Sequence, residues 1–492
     1  MKLSDLIGKA SIKPVAVLGE ADVESVLMDS RQCKPGSLFV CMPGKNNDSQ
    51  SFIAAAARNG AVAVMIFEDR GIAEARELGI AALQIPNEGL AYNEAIWRLC
   101  DAFFDHPTHE MKVIGVTGTN GKTTTAWLVR DMLDALGVKA GYLGTLGLQL
   151  PNGERELSNT TPFAVELYNL IAETRASGAE ALAMEVSSHA LHERRADGVE
   201  FDAAIFTNLT QDHLDYHQTM EAYAEAKHRL FFGLPAQSEK RFVAAFNVDD
   251  PVGERWSIEQ NGPTLTYSLL HAADLVGTPL HVAVDHLKLR LEYGGEIEVE
   301  VHLGGNFNVS NCLSASAGML ALGYSLEQVR TALTHVRPVP GRFEAVRNDK
   351  GIGIIIDYAH TPDALEKLLD SVLELGPKRV LTVFGCGGDR DATKRPKMAR
   401  AASERSDITI VTSDNPRTED PNAILNQVKS GIMSGKQSMA IADRREAVAH
   451  AIHIAKPGDV VVIAGKGHEN YQIIGRTKFP MDDRELAREA LA

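Results

Sequence analysis

Apolar residues recur along this chain in short β-branched runs, each followed by a glycine-rich or polar turn and then by helical spacing. Met111–Gly115 opens the clearest case: a β-branched run precedes Gly115-Val-Thr-Gly-Thr-Asn-Gly-Lys-Thr-Thr-Thr125, and Ala126–Leu136 follows with helical apolar spacing and Gly137 as its stop. The same alternation predicts strands at Ser37–Met42 and Ala61–Phe67, with helices at Ser51–Asn59 and Leu90–Phe104. Apolar runs at Ala181–His189 and Ala203–Asn208 then predict two more strands, each ending in polar residues. After the proline-rich stretch Arg337-Pro-Val-Pro-Gly-Arg342, strands are predicted at Gly353–Asp357, Arg379–Phe384, Ile408–Thr412 and Asp459–Ala464, with a helix over Pro362–Leu375. Strand–helix alternation of this kind implies mostly parallel sheets with helices on both faces. The expected class is α/β in three domains: a small N-terminal α/β domain over 1–89, a central P-loop-type sheet over 90–336, and a C-terminal Rossmann-like domain over 337–492.

Composition narrows the function without naming it. The net charge of −15 over 492 residues argues against a nucleic-acid partner bound through its phosphates. Five scattered cysteines without a C-x-x-C pair suit a reduced cytoplasm and argue against a disulfide scaffold or a zinc site. The first residues carry no leader signature, and no segment approaches the roughly 18 apolar residues of a membrane span. A cytoplasmic, monomeric protein that is not membrane-embedded is expected.

The candidate chemistry sits at the strand ends. A strand, a glycine-rich turn, Lys-Thr and a helix make a phosphate cradle: backbone N–H groups face the anion, Lys122 reaches the terminal phosphates, and Thr123 offers a hydroxyl to Mg²⁺. Val116 stands where G-x-x-x-x-G-K-[ST] has its first glycine, flanked by Gly115 and Gly118. Glu185 ends a strand on the same sheet, where a second Mg²⁺ ligand belongs. Leu209–His217 is dense in polar side chains, and His213 between Asp212 and Asp215 reads equally as a packed ring or as a ligand. Helix Met220–Phe232 places Lys227 inside its apolar face, four residues from Tyr223 and Phe231. Lys227 is therefore either a snorkelling lysine or a buried amine of lowered pKa, and a neutral amine takes up CO₂ as a carbamate. Asn308 and Ser310 read as helix caps, while Asn306 beside two glycines suits a flat ligand such as adenine. Asp29-Ser30-Arg31, taken alone, reads as a turn with a solvated arginine. In the last domain four polar groups stand at equivalent strand ends: Asp357–Asp363, Gly385–Arg390, Asp414–Arg417 and Gly465–Glu469. An ATPase motor, a kinase and an ATP-dependent ligase all remain open on these residues.

The motifs also carry a resemblance. Thr117–Thr125, Glu185-Val-Ser-Ser-His189, Thr207–His217, Gly305–Asn311, Gly341-Arg-Phe-Glu344 and Asp357–Asp363 resemble, in order along the whole chain, the Mur ligases of peptidoglycan synthesis. Asp29-Ser-Arg31, Asn159-Thr-Thr-Pro162 and Asp414-Asn-Pro-Arg417 resemble the members that add meso-diaminopimelate as third amino acid. A lysine-adding member or a folylpolyglutamate-type ligase is the alternative within ligases, and a nucleotide-gated binding ATPase the alternative outside them. The resemblance implies that ATP, UDP-N-acetylmuramoyl-L-alanyl-D-glutamate and meso-diaminopimelate are joined through an acyl phosphate. Catalytic roles then fall to Lys122, Glu185, His213, Lys227 and Arg342, and the Mg²⁺ ligands are Thr123, Glu185, His213 and Lys227 as N6-carboxylysine. ATP is expected at Gly118, Thr119, Asn120, Gly121, Lys122, Thr123, Thr124, Asn306, Arg342, Asp357, His360 and Lys394. Ser30, Thr160, Thr161, Ser187 and Arg195 are implied for the UDP-linked dipeptide. Arg390, Asp414, Asn415, Arg417, Gly465 and Glu469 are implied for diaminopimelate. One position departs: Glu193 stands where the family commonly has glutamine, and an acid there needs Arg194 or Arg195 as its partner.

Overall fold

The computed structural model describes residues 1–43 and 48–492, which form two compact units. One comprises Met1–Thr266 with Ala317–Tyr324, the other Tyr267–Ser316 with Ser325–Ala492.

The first unit holds two sheets. Its N-terminal sheet runs Ala16–Leu18, Ala81–Gln84, Ala61–Ile66, Ser37–Val40, Ser25–Leu27 in space, with only the first pair antiparallel. Side chains alternate between its faces: Leu38, Val40, Ala63 and Met65 enter one core, Phe39, Val64 and Ile66 the other. That two-residue period explains why both strands read as nearly continuous apolar runs, since neither face meets water. The larger sheet orders Val243–Asn247, Ala203–Phe206, Lys112–Thr117, Ala181–Glu185 and Ala140–Gly144, all parallel. Register places Glu185 beside Val116 and Phe206 beside Thr117, so the polar strand ends gather at one edge. Ligands bind at that edge of a parallel sheet.

In the second unit a parallel sheet orders Gly353–Asp357, Val460–Ala464, Val380–Cys386, Ile408–Ser413 and Gln437–Ala440, with Glu344–Ala345 antiparallel on its outer edge. Ile355, Val462 and Phe384 face one layer of helices, while Ile354, Val461 and Val383 face the other. Strand Val460–Ala464 inserts between Gly353–Asp357 and Val380–Cys386, which makes a switch in strand order where a crevice opens.

Several boundaries differ from the sequence expectation. Helix Lys122–Ala135 begins four residues before the apolar spacing does, because the phosphate loop itself feeds its first turn. Strand Ala181–Glu185 is followed by a short helix, Ser188–His192, capped by the Ser187 side chain on Ala190 N–H. The antiparallel strands Leu275–Val282, Leu287–Glu292 and Glu296–Val301 were not among the predicted elements. Their signature is nonetheless plain: Leu287, Leu289 and Leu291 are buried and alternate with polar residues.

Candidate functional site

The phosphate loop takes its shape from two glycines and a network of long-range bonds. Gly121 adopts a left-handed φ of 84° at the helix start, and no side chain caps that helix. Its first N–H groups are thereby left for an anion. Thr119 N–H donates to Asn208 O at 2.8 Å, Asn120 N–H to Asn208 Oδ1 at 2.9 Å, and Thr207 Oγ1 to Asn120 O at 2.6 Å. Lys122 Nζ donates to Gly118 O and Thr119 O at 2.9 and 2.8 Å, curling over the loop it is expected to serve. A Cβ on Gly118 would lie 1.9 Å from Thr207 Oγ1. Gly118→Ala is therefore expected to displace Thr207 and lower stability by roughly 1–3 kcal/mol along with activity, read by thermal melting and turnover. A variant with wild-type turnover would remove the loop geometry from the argument.

Glu185 is buried at the end of its strand and accepts four bonds. Thr123 Oγ1 donates at 3.0 Å, Tyr142 OH at 2.5 Å, Thr145 N–H at 2.8 Å and Thr145 Oγ1 at 3.3 Å. A carboxylate and a threonine hydroxyl in contact are hard oxygen donors of the kind Mg²⁺ takes. Among the described residues no group of three or more His, Cys, Asp and Glu side chains could hold a metal by itself.

Lys227 is the buried amine of the two sequence readings. Its Nζ donates to Gly118 O at 2.7 Å, sits 4.5 Å from the Tyr223 ring centre, and the residue is 1% exposed. Burial first, and then the neighbouring Lys122 charge, hold its pKa well below the ordinary lysine value. His213 starts the short helix Leu214–His217 at a left-handed φ of 52°, exposed on the same edge, and its pKa is lowered chiefly by desolvation. Its ring meets those of His189 and Tyr223, with the His189 and His213 ring centres 4.9 Å apart, and His189 in turn packs against Tyr216 and His217. His217 is buried and pushed down to about 4, with Nε2 3.0 Å from Ser188 Oγ, so it remains neutral.

Of the residues implied for the UDP-linked dipeptide, four converge beside Glu185. Thr160 Oγ1 meets Thr145 Oγ1 at 3.1 Å, Thr161 Oγ1 donates to Glu185 O at 2.8 Å, and Ser187 N–H donates to Thr161 Oγ1 at 3.1 Å. Arg195 Nη1 donates to Thr161 O at 2.9 Å, and the expected pairing with Glu193 forms through Nε and Nη2 at 2.9 and 2.7 Å. Ser30 stands in the N-terminal sheet's turn, its carbonyl accepting from Asn59 Nδ2 at 2.8 Å, while Arg31 pairs with Asp29.

In the second unit, Asp357 accepts Phe343 N–H and Ala359 N–H at 2.8 Å each, and burial pushes its carboxyl up. Arg342 lies over the Tyr358 ring at 5.3 Å, and its buried Nε has no hydrogen-bond partner among the described residues. Lys394 Nζ donates to His360 O at 3.1 Å, and Asn306 Nδ2 donates to Glu374 Oε2 at 2.6 Å. At the neighbouring strand ends Asn415 Nδ2 donates to Glu469 Oε2 at 3.1 Å, and Asp414 is buried 3.6 Å from where a Gly465 Cβ would stand. Arg417, at a φ of 51°, donates through Nη1 to Gly388 O at 2.9 Å. A Cβ on Gly387 would meet Arg417 Nη1 at 2.9 Å and Arg390 Cγ at 3.8 Å, so the two arginines face one loop.

Three residues of this region escaped the sequence reading. Lys466 is fully buried and donates to Asn415 Oδ1 at 3.2 Å and Glu469 Oε2 at 3.0 Å. Arg395 is buried and holds Glu419 and Gly387 O, bracing the loop before Arg390. Arg444 pairs with Asp483 in the core and donates to Ala464 O and Ser413 O at two strand ends. The flanking glycines of Lys466 were a signal for close approach. Nothing local marks Arg395 or Arg444.

Comparison with known proteins agrees with this geometry. The family model for the Mur ligase middle domain matches residues 116–319, and that for the Mur ligase, glutamate ligase domain matches residues 341–467. The chain is 41% identical over 495 residues to a UDP-N-acetylmuramoyl-L-alanyl-D-glutamate–2,6-diaminopimelate ligase of Geobacillus thermodenitrificans, covering 100% of this chain and 99% of the relative. A ligase of the same name from Gloeobacter violaceus is 42% identical over 100% of this chain and 98% of its own. A solved structure of a ligase with that name superposes with a TM-score of 0.67 at 34% identity, covering 95% of this chain and 94% of its own. This chain belongs to the Mur ligase family.

Proposed function

We propose that this chain joins meso-diaminopimelate to the D-glutamate of UDP-N-acetylmuramoyl-L-alanyl-D-glutamate, with ATP converted to ADP and phosphate. The observation that carries this reading is the phosphate loop with Lys122 and Thr123 beside buried Glu185, in a chain 41% identical over its whole length to a relative bearing that activity's name. The glutamate γ-carboxylate attacks the γ-phosphorus and ADP leaves, which yields an acyl phosphate. The diaminopimelate amine then attacks the acyl carbon, loses a proton, and phosphate leaves as the amide forms. Two anions must meet in the first step, so positive groups have to offset their repulsion. Lys122 supplies one such charge at the loop. Thr123 and Glu185 are assigned to one Mg²⁺ and His213 with carbamylated Lys227 to a second; bound Mg²⁺ supplies charge neutralisation on the phosphoryl oxygens. Gly118, Asn120, Asn306, Arg342, Asp357, His360 and Lys394 are assigned to ATP, and Ser30, Thr160, Thr161, Ser187 and Arg195 to the UDP-linked dipeptide. Functional segments 1–89, 90–336 and 337–492 go with this division of labour. Among the described residues no helix is long and apolar enough to cross a membrane.

Phosphate release from ATP and the UDP-linked dipeptide, with and without diaminopimelate, tests the reading when product mass is followed alongside. Release that ignores diaminopimelate would sink it.

Amino-acid choice rests on the loop that Arg390 and Arg417 share. Diaminopimelate differs from lysine by one distal carboxylate, and planar guanidinium forks suit that group. Asp414 and Glu469 beside it offer acceptors for the distal amine. A charge-assisted bond is worth roughly 1.5–3 kcal/mol. Two of them separate the substrates by a factor on the order of 10² to 10⁴. Arg417→Ala is expected to raise the KM for diaminopimelate with a smaller change in kcat, and the wild type to use L-lysine poorly. Comparable kcat/KM for both amino acids would overturn the assignment.

A further inference from the structure

The Glu193 carboxylate makes more bonds than a residue merely neutralising Arg195 would need. Its Oε2 accepts Arg195 Nε at 2.9 Å and Nη2 at 2.7 Å, while its Oε1 accepts Tyr216 OH at 3.0 Å. Tyr216 OH also lies 3.0 Å from His192 Nδ1. Arg195 is held a third time by Thr161 O and stacks 4.1 Å from the Phe163 ring centre. A guanidinium has five N–H donors, so these bonds leave two of them to a ligand. Tyr216 belongs to the turn that begins at His213, whose carbonyl accepts Tyr216 N–H at 3.1 Å.

We propose that Glu193 is a positioning residue that locks Arg195 in one rotamer for the anionic UDP-linked substrate and, through Tyr216, ties Arg195 to the turn carrying His213. The proposal rests on the ligase reading above. Arginine loses rotamer freedom when it is ordered at the moment of binding. A carboxylate that orders it beforehand removes that cost from substrate binding. An amide in the same place presents one acceptor oxygen, and it satisfies Arg195 or Tyr216 but not both as acceptor.

Kinetics of Glu193→Ala, Glu193→Gln and Tyr216→Phe test this with the full-length protein. Glu193→Ala is expected to raise the KM for the UDP-linked dipeptide by a factor on the order of ten, with the KM values for ATP and diaminopimelate little changed. Glu193→Gln should recover part of the loss, and Tyr216→Phe should show a smaller rise in the same constant. A Glu193→Ala enzyme with an unaltered KM for the dipeptide, or with equal rises for all three substrates, overturns the positioning role. Should Glu193→Ala not fold, an unaltered dipeptide KM in both Glu193→Gln and Tyr216→Phe overturns it equally. A wild type that releases no phosphate with the dipeptide overturns the ligase reading and this proposal together, which keeps the two failures distinct.

Discussion

Lys122→Ala is expected to lower the turnover number by a factor on the order of 10³ or more, with little change in melting temperature. Such a factor corresponds to about 4 kcal/mol of transition-state stabilisation. The side chain is half-buried at the rim of the loop and donates to two backbone carbonyls within four residues of itself. Those two bonds contribute little net stability, because water replaces them once the amine is gone. In the proposed reaction, by contrast, the charge offsets the negative charge that the phosphate oxygens gather during transfer. Lys122→Met separates shape from charge and should be as inactive as the alanine variant. The measurement is steady-state phosphate release beside a thermal melt. A melting point that falls together with activity would make Lys122 a structural strut instead.

Lys227→Ala should likewise lose turnover by a factor on the order of 10² or more, and acetate or formate should restore part of it. The motive is geometric: an amine 1% exposed, reaching back to Gly118 O of the phosphate loop, stands where a carbamate would enter that site. A small carboxylate can occupy the space that truncation opens and stand in for the carbamate. A lysine serving only as packing would give a variant indifferent to acetate, and an active alanine variant would end the idea. Stability gives a second readout with a definite sign. Burial holds this amine's pKa well below the ordinary value in the folded protein, while the unfolded chain protonates it up to 10.5. The unfolded state therefore binds more protons between those two values, so this group's contribution to stability rises with pH across that window. In CO₂-free buffer Lys227→Met should melt above the wild type near neutral pH, with the gap closing as pH approaches 10.5. A gap that widens with pH would contradict a neutral buried amine.

These two lysines also mark where sequence stops and tertiary structure begins. The phosphate loop was legible because its meaning is local: a β-branched run, glycines, Lys-Thr and helical spacing lie within about 25 contiguous residues. The parallel sheets were legible for a related reason, since strands buried on both faces read as near-continuous apolar runs, as Val460–Ala464 does. Helix periodicity likewise put Lys227 on the buried face of Met220–Phe232, whose ends matched the prediction. What that periodicity left open was whether the amine escapes to water or stays inside. The answer is a carbonyl 109 residues away, Gly118 O, which no local pattern encodes. Glu193 behaves the same way: its pairing with Arg195 two residues on was foreseeable, but Tyr216 reaches it from 23 residues further along the chain. The glycines flanking Lys466 signalled a close approach, but only the folded loops bring Asn415 and Glu469 close enough to satisfy its amine. The sequence by itself determined which faces are apolar and where the phosphate-binding turn lies, because those depend on neighbours along the chain. Which polar side chains are buried, and with what partner, was decided by tertiary structure alone, because a buried charge is tolerated only where distant elements supply its bonds.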